Sequence, residues 1–323
     1  MSTYLVTGVA GFIGSKTVEL LLNAGHIVVG IDSLNNYYDV RLKKHRLAQL
    51  ESRENFIFNK LNIESAEEID ALFVKFSFDG VINLAAYSGF PYSLVNPQVY
   101  FSTNVNGTLN LLESMRHHQV SKLVIASSSS VYGGLELPFH ESLPVNKPIS
   151  PYAASKKAAE VLCHSYHELF GIDTSILRFF TVFGPCGRPD MCIFRFIKWI
   201  AEGDSIKLSG DGSQSRDFTY LDDIVRGILA ALKPVGYEII NLGGGKNPVS
   251  LNQIIQWIEE SLGIKAIIEN KPFHKADMTS TWADITKAEK LLGWKPEMDI
   301  KEGVERCVHW YQQNQSWLKD IQL

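Results

Sequence analysis

The sequence predicts an α/β fold: a doubly wound parallel sheet followed by a smaller α/β region. Three observations carry this. Short apolar runs alternate with amphipathic segments of helical length through the first half of the 323 residues. The first apolar run ends in a glycine-rich turn that opens directly into a helical pattern. Beyond Arg178 the alternation breaks up at Pro185, Gly187, Pro189, Gly203, Gly210 and Gly212. Strands bounded by helices of this length form right-handed βαβ units in a parallel sheet covered on both faces.

The first strand is expected at 3–7, where Tyr4-Leu-Val-Thr runs into Gly8. A helix follows at about 12–24, patterned through Val18-Glu-Leu-Leu-Leu-Asn-Ala-Gly25. The apolar run His26-Ile-Val-Val-Gly-Ile31 makes the second strand, at 26–31. Further apolar runs place strands at 55–59, 80–84, 122–127 and 173–178, with helical patterns near 39–51, 66–75, 97–117 and 151–170 between them. Helices return at about 191–202, 221–233, 250–261 and 301–313. The expected division is residues 1–180, with returning segments near 217–246, and a smaller unit made mainly of 181–323. No long linker, internal repeat or low-complexity stretch interrupts the chain.

The glycine-rich turn reads Gly8-Val-Ala-Gly11-Phe12-Ile13-Gly14. Gly8 allows the tight turn, Gly11 lets the backbone approach a pyrophosphate, and Gly14 allows close helix–strand packing. The helix N-terminus around Phe12 and Ile13 offers free N–H groups and a positive dipole end to phosphates. Asp32 stands at the end of the second strand, eighteen residues after Gly14. A carboxylate there suits a ribose 2′-hydroxyl and repels a 2′-phosphate, which favours NAD over NADP. Strand, helix, strand and acid in this order predict a Rossmann-like cofactor site.

Composition excludes several other classes. A net charge of −4, a pI near 6.2 and the absence of a basic cluster give no electrostatic case for nucleic acid. Hydrophobic residues make up 45%, as in a globular chain, and no apolar run reaches membrane-spanning length. The first strand begins by Thr3, leaving no room for a signal peptide. Cys163, Cys186, Cys192 and Cys307 form no Cys-x-x-Cys pair and no metal-ligand cluster, which points to a reducing cytoplasm and to no metal.

Tyr152 and Lys156 lie one helical turn apart in Ser-Pro-Tyr-Ala-Ala-Ser-Lys, downstream of Ser127-Ser128-Ser129-Ser130. Four residues rise about 6 Å and return to the same helix face, so the ammonium can sit beside the phenol. A tyrosine acting as a base near neutrality must be brought down from near 10, at about 4 kcal/mol, and an adjacent cation acts in that direction. An ordinary surface helix can carry the same spacing. The cofactor turn at the other end of the chain makes the catalytic reading the better one.

Gly-x-x-Gly-x-x-Gly, Asp32, Leu84-Ala85-Ala86, Asn104, the serine-rich strand end and Tyr152-x-x-x-Lys156 together resemble an extended short-chain dehydrogenase/reductase. Within that superfamily the chain is similar to nucleotide-sugar 4-epimerases, most closely the UDP-glucuronate 4-epimerases. The likeness covers nearly the whole chain. Its more specific stretches are Asp32-Ser-Leu-Asn-Asn-Tyr-Tyr-Asp-Val-Arg-Leu, Leu177-Arg-Phe-Phe-Thr-Val-Phe-Gly-Pro, Gly187-Arg-Pro-Asp-Met, Ser215-Arg-Asp-Phe-Thr-Tyr and Thr281-Trp-Ala-Asp-Ile-Thr-Lys-Ala.

The resemblance implies roles residue by residue. Ser128, Tyr152 and Lys156 become the catalytic set, and Asn36, Asn62, Ile63, Leu84, Ala85, Ala86 and Asn104 join the glycine turn and Asp32 around NAD. Arg216 and Arg195 are the candidates for the diphosphate, and Asp277 for the uridine ribose, of a UDP-sugar. A guanidinium suits a diphosphate because its planar fork gives paired, charge-assisted bonds. Ser129, Ser130, Thr181 and Arg188 match positions that hold a C6 carboxylate. Family members often carry Arg in the loop that here reads Tyr87-Ser-Gly-Phe-Pro91-Tyr-Ser, so Pro91 removes that loop's cation. Two smaller departures are Lys16 for a usual His and Asn62 for a usual Asp.

Related chemistries leave other marks. The 4,6-dehydratases carry Asp-Glu where this chain has Ser129-Ser130, and the UDP-glucuronate decarboxylases carry Glu at Ser130. Thr281 stands where some UDP-galactose 4-epimerases have a bulkier tyrosine, which keeps a UDP-N-acetylglucosamine or UDP-glucose 4-epimerase as the alternative. A dinucleotide-binding sensor without catalysis is the reading from another class, and the intact Ser128, Tyr152 and Lys156 argue against it. By analogy, helices at 97–117 and 151–170 pair two copies into a homodimer.

Overall fold

The computed structural model describes residues 1–246, 248–273 and 278–323. All six expected strands are present: β1 (Thr3–Thr7), β2 (Ile27–Ile31), β3 (Phe56–Asn59), β4 (Gly80–Asn83), β5 (Lys122–Ser128) and β6 (Asp173–Phe179). Their runs are apolar without strict alternation because helices cover both faces of the sheet. Every residue of β4 is buried. Among the described residues the sheet has seven strands, in the order Tyr237–Leu242, β6, β5, β4, β1, β2, β3. All its pairings are parallel. The direction of winding reverses between β1 and β4, and that reversal opens the crevice in which doubly wound folds bind ligands.

The strand Tyr237–Leu242 was not marked by the sequence, and it pairs with β6 from Tyr237 against Thr174 to Leu242 against Phe179. Helix α1 (Phe12–Asn23) packs against the later helix Leu221–Ala230, with Phe12, Leu221 and Val225 sharing one apolar cluster. The expected helix at 97–117 is interrupted. Pro97–Phe101 and Gly107–His117 are α-helical, and Ser102–Asn106 between them is a π turn. A short helix at Phe90–Val95 precedes them, with Pro91 in its first turn, where a missing N–H costs nothing. The last helix runs from Ile300 to Leu318, beyond the expected 301–313.

A second apolar core holds the later helices together. Phe196 and Ile197 of Cys192–Glu202, Ile254 of Leu251–Leu262, and Val308 and Tyr311 of Ile300–Leu318 meet in it. Phe183 and Phe218 extend this core to the short parallel strands Thr181–Phe183 and Phe218–Tyr220. No helix among the described residues is long and apolar enough to cross a membrane.

Candidate functional site

Ser150 fixes the start of the helix Pro151–Phe170: its hydroxyl accepts from Ala153 N at 3.2 Å, and Pro151 takes the first helical position. Tyr152, Lys156 and Glu160 then recur every four residues on one buried face. That face meets the end of β5. Ser128, the last residue of the strand, caps the short turn Ser129–Tyr132 by accepting from Ser130 N at 3.1 Å. Its hydroxyl also hydrogen-bonds the Tyr152 phenol. Strand end and helix start therefore bring Ser128 and Tyr152 together, as the sequence predicts.

The electrostatics differ from that prediction. Burial raises the Tyr152 phenol above its ordinary value, while the hydrogen bond with Ser128 and the charge of Arg188 pull it down. The Lys156 ammonium donates to Ala126 O at 3.0 Å. Burial brings Lys156 down to about 8, against the pull of Glu160. The cation that the sequence assigned to the phenol is thus directed at the strand backbone, and Arg188 supplies the positive charge the phenol feels. Desolvation of a fully packed phenol is the larger effect, and helical spacing cannot reveal it.

The glycine turn is shaped for close backbone approach. Gly8 has φ +73°, and a Cβ there would stand 2.9 Å from Ala85 N. A Cβ on Gly14 would come within 2.0 Å of Gly8 O, and one on Gly11 within 2.9 Å of the same oxygen. A side chain on Gly8 would strike the segment after β4, and one on Gly11 or Gly14 the turn itself. Only glycines therefore allow this tight backbone cradle at the winding reversal, which fits a dinucleotide pyrophosphate. Asp32 is buried, and its carboxylate accepts from Ala10 N at 3.1 Å and Leu34 N at 2.8 Å. One acid thereby ties the glycine turn to the segment carrying Asn36. The far wall follows β4: the Thr7 hydroxyl donates to Asn83 Oδ1 at 2.7 Å and accepts from Leu84 N at 3.1 Å and Ala85 N at 3.0 Å.

Asn104 sits in the π turn, a feature common at functional sites. Its amide nitrogen donates to Tyr87 O and Ser155 Oγ, both at 2.9 Å, and its oxygen accepts from Tyr87 N at 3.0 Å. It thus holds the strip Leu84–Tyr87 against the helix Pro151–Phe170. Ile63 is buried against Gly107, and the Asn62 side chain accepts from Glu64 N at 3.2 Å.

The substrate candidates gather on the other side. Thr181 and Arg188 line one pocket together with Phe12, Met191 and Cys192. Arg188 is engaged: Nε donates to Asp190 Oδ1 at 3.0 Å, Nη2 to Asp190 Oδ2 and to Ser88 O at 3.3 Å, and Nη1 to Ser88 Oγ. Arg195 stacks over the Trp199 ring at 4.5 Å, and its buried Nε has no hydrogen-bond partner among the described residues. Burial holds the Cys192 thiol up at about 11, while the charges of Arg216 and Arg195 pull it down. Ser129 is buried beside Ser128, and Ser130 follows it in the same turn. Asp277 lies outside the described residues.

Several supporting residues were not singled out from the sequence. Asp217 accepts from Gly244 N, from Gly245 N at 3.3 Å and from Ala283 N at 2.7 Å, and so clamps the Arg216 segment to two later loops. Tyr100 donates to Gly89 O at 2.8 Å and packs edge-on against Tyr152, with ring centroids 5.9 Å apart. Glu160 accepts from Ser127 Oγ at 2.6 Å and pairs with Arg178 at 2.7 Å. Only Glu160 carried a sequence signal, its place two turns beyond Tyr152 on the same face. The partners of the others come from distant segments.

The chain matches the family described as GDP-mannose 4,6 dehydratase over residues 5–307. It is 56% identical over 323 residues to a UDP-glucuronate 4-epimerase of Thermodesulfobacterium geofontis, covering 100% of both chains. Among solved structures, the UDP-glucuronic acid 4-epimerase of Bacillus cereus in complex with UDP-glucuronic acid and NAD is 38% identical with a TM-score of 0.92, over 97% of this chain and 99% of that one. The UDP-glucose 4-epimerase of Thermotoga maritima, solved with UDP-glucose, is 29% identical with a TM-score of 0.89, over 97% and 99%.

Proposed function

With the chain a member of the GDP-mannose 4,6 dehydratase family, in the extended short-chain dehydrogenase/reductase superfamily, we propose that it is an NAD-dependent UDP-sugar 4-epimerase that interconverts UDP-glucuronate and UDP-galacturonate. The observation that carries this is the full-length identity to a UDP-glucuronate 4-epimerase. The family's description names a dehydratase, but elimination across C5–C6 needs an acid and a base. Hydroxyls stand at Ser129 and Ser130, where dehydratases carry that carboxylate pair.

NAD, when bound, takes the hydride from C4 and returns it to the opposite face of the 4-keto sugar. The chain's residues do the rest. Tyr152 takes the O4 proton, and Ser128, bonded to the same phenol, holds O4 in line with it. Lys156 fixes the catalytic helix on β5 through Ala126. The glycine cradle and Asp32 hold the cofactor, with Phe12, Ile13, Asn36, Asn62, Ile63, Leu84, Ala85, Ala86 and Asn104 around it. Arg195 and Arg216 take the diphosphate, Asp277 the uridine ribose, and Ser129, Ser130, Thr181 and Arg188 the C6 carboxylate. The cofactor falls to residues 1–180 with the returning segments near 217–246, and the nucleotide sugar mainly to 181–323.

The same reading makes the enzyme a cytoplasmic homodimer. Phe101, Leu109, Val161, Leu169 and Phe170 are exposed apolar side chains on the helices that pair in related proteins. Incubating the purified protein separately with UDP-glucuronate, UDP-glucose and UDP-N-acetylglucosamine, with products identified by NMR, tests the function. UDP-galacturonate from the first is the expected product. Turnover of the neutral sugars alone would refute the assignment.

A further inference from the structure

Arg188 has five N–H groups, and its own chain occupies four of them. Asp190 holds the Nε and Nη2 edge, and Ser88 takes one N–H each from Nη1 and Nη2. The guanidinium lies over the Tyr37 ring, 5.6 Å from its centroid, and Tyr37 in turn donates to Ser88 O at 2.5 Å. Its plane is therefore set before any sugar arrives. The Arg188 side chain is 17% exposed and that of Asp190 36%, so the carboxylate is the partner that can turn to water. A C6 carboxylate can bond this guanidinium in pairs only by displacing one of these partners, and Asp190 is the one with room to turn away.

Epimerisation makes that exchange necessary twice per cycle. The 4-keto sugar has to present its other face, so its C6 group leaves the position it held during oxidation. A guanidinium only 17% exposed would lose its carboxylate partner as the sugar turns, which is costly. We propose that Asp190 is the exchange partner of Arg188: it yields the guanidinium to the C6 carboxylate on binding and takes it back as the 4-keto sugar rotates. This rests on the UDP-glucuronate reading above. Asp190 thereby weakens the hold on the acid and lowers the barrier to rotation. A residue that only braced its loop would do neither.

The test is the Asp190→Asn holoenzyme, which keeps the side-chain shape and removes the competing charge. The KM for UDP-glucuronate should fall about tenfold and kcat should fall by at least as much, the pattern of a ground state held too firmly. Reduced-nicotinamide absorbance should build up during turnover, because oxidation proceeds while rotation lags. With UDP-glucose, which has no C6 charge, KM should not fall. An unchanged or raised KM for UDP-glucuronate, or no build-up of reduced cofactor, overturns the exchange. Should the Asn variant fail to fold, Asp190→Ser carries the same test. A wild type inactive on UDP-glucuronate would overturn the functional reading itself, whereas an active wild type with an unresponsive Asp190 variant overturns only this inference.

Discussion

The Lys156 ammonium donates to the carbonyl oxygen of Ala126 at 3.0 Å, and so binds the helix of Tyr152 to the strand of Ser128. The bond holds together the two elements that carry the Ser128 and Tyr152 hydroxyls. It also buries the Lys156 amine at that junction.

Tyr152→Phe should retain fold and bound NAD while turnover falls by at least about 10²-fold, the scale for losing a general base. Product formation from UDP-glucuronate, with cofactor content measured after denaturation, checks both halves. Near-normal turnover would make the tyrosine structural.

Activity should decline as the pH rises through about 8, where buried Lys156 gives up its proton. The sign follows from the direction of the shift. The folded value lies below the ordinary 10.5, so between the two the unfolded chain holds a proton that the folded chain has lost. In that window this group makes folding more favourable as pH rises, and below about 8 its full penalty is present. Activity and stability should therefore diverge on the alkaline side, which paired kcat and melting profiles against pH would show.

Protein purified without added nucleotide should carry NAD and prefer it over NADP because of Asp32. Gly14→Ala should empty the site, since its Cβ would stand 2.0 Å from Gly8 O and force the turn to open. Cofactor content per chain, with far-UV circular dichroism to confirm folding, decides it. Full NAD content in the variant would show that the turn yields.

Glu160→Gln strands the Arg178 guanidinium, which is 1% exposed, and should cost about 3–5 kcal/mol in urea unfolding. Burial pushes the Glu160 carboxyl up, but Arg178, Ser127 and Lys157 outweigh it and hold the carboxyl below its ordinary value. Adding Arg178→Met should recover much of the loss, because removing both charges is milder than leaving one. A double variant as weak as the single would show that the pair matters through packing.

Arg188→Ala should cost UDP-glucuronate about 2–4 kcal/mol of transition-state binding and spare UDP-glucose. Since the 4-keto acid is a β-keto acid, loosening its carboxylate should also raise the trace of UDP-4-keto-pentose. Equal losses on both sugars would detach Arg188 from C6.

Residues whose placement is written in local order were legible. The glycine turn, the acid after β2 and the Tyr152–Lys156 spacing all follow from a few consecutive residues, and the six strands fall within two residues of their expected limits. The pairing of Arg188 with Asp190 and Ser88 was not legible, because one partner comes from a loop 100 residues away. Tyr152 shows the same limit from the other side: four-residue spacing brings Lys156 to its face, but only the packed structure shows burial prevailing and Arg188 acting on the phenol. The π turn at Ser102–Asn106 has no compositional mark, since it reflects how Asn104 reaches Tyr87 and Ser155.

The strand Tyr237–Leu242 completes the sheet from late in the chain. During synthesis, β6 leaves the ribosome well before its outer neighbour exists. Until Leu242 emerges, its open N–H and C=O row is a template for pairing with another nascent chain. The helix Leu221–Ala230, which covers α1, is equally late. The half of the protein that carries the cofactor turn therefore cannot close its surface alone, and a stalled or truncated chain ending after β6 should aggregate and depend on chaperones. In this enzyme, assembly of the half that carries the glycine turn is timed by the translation of residues that lie late in the chain.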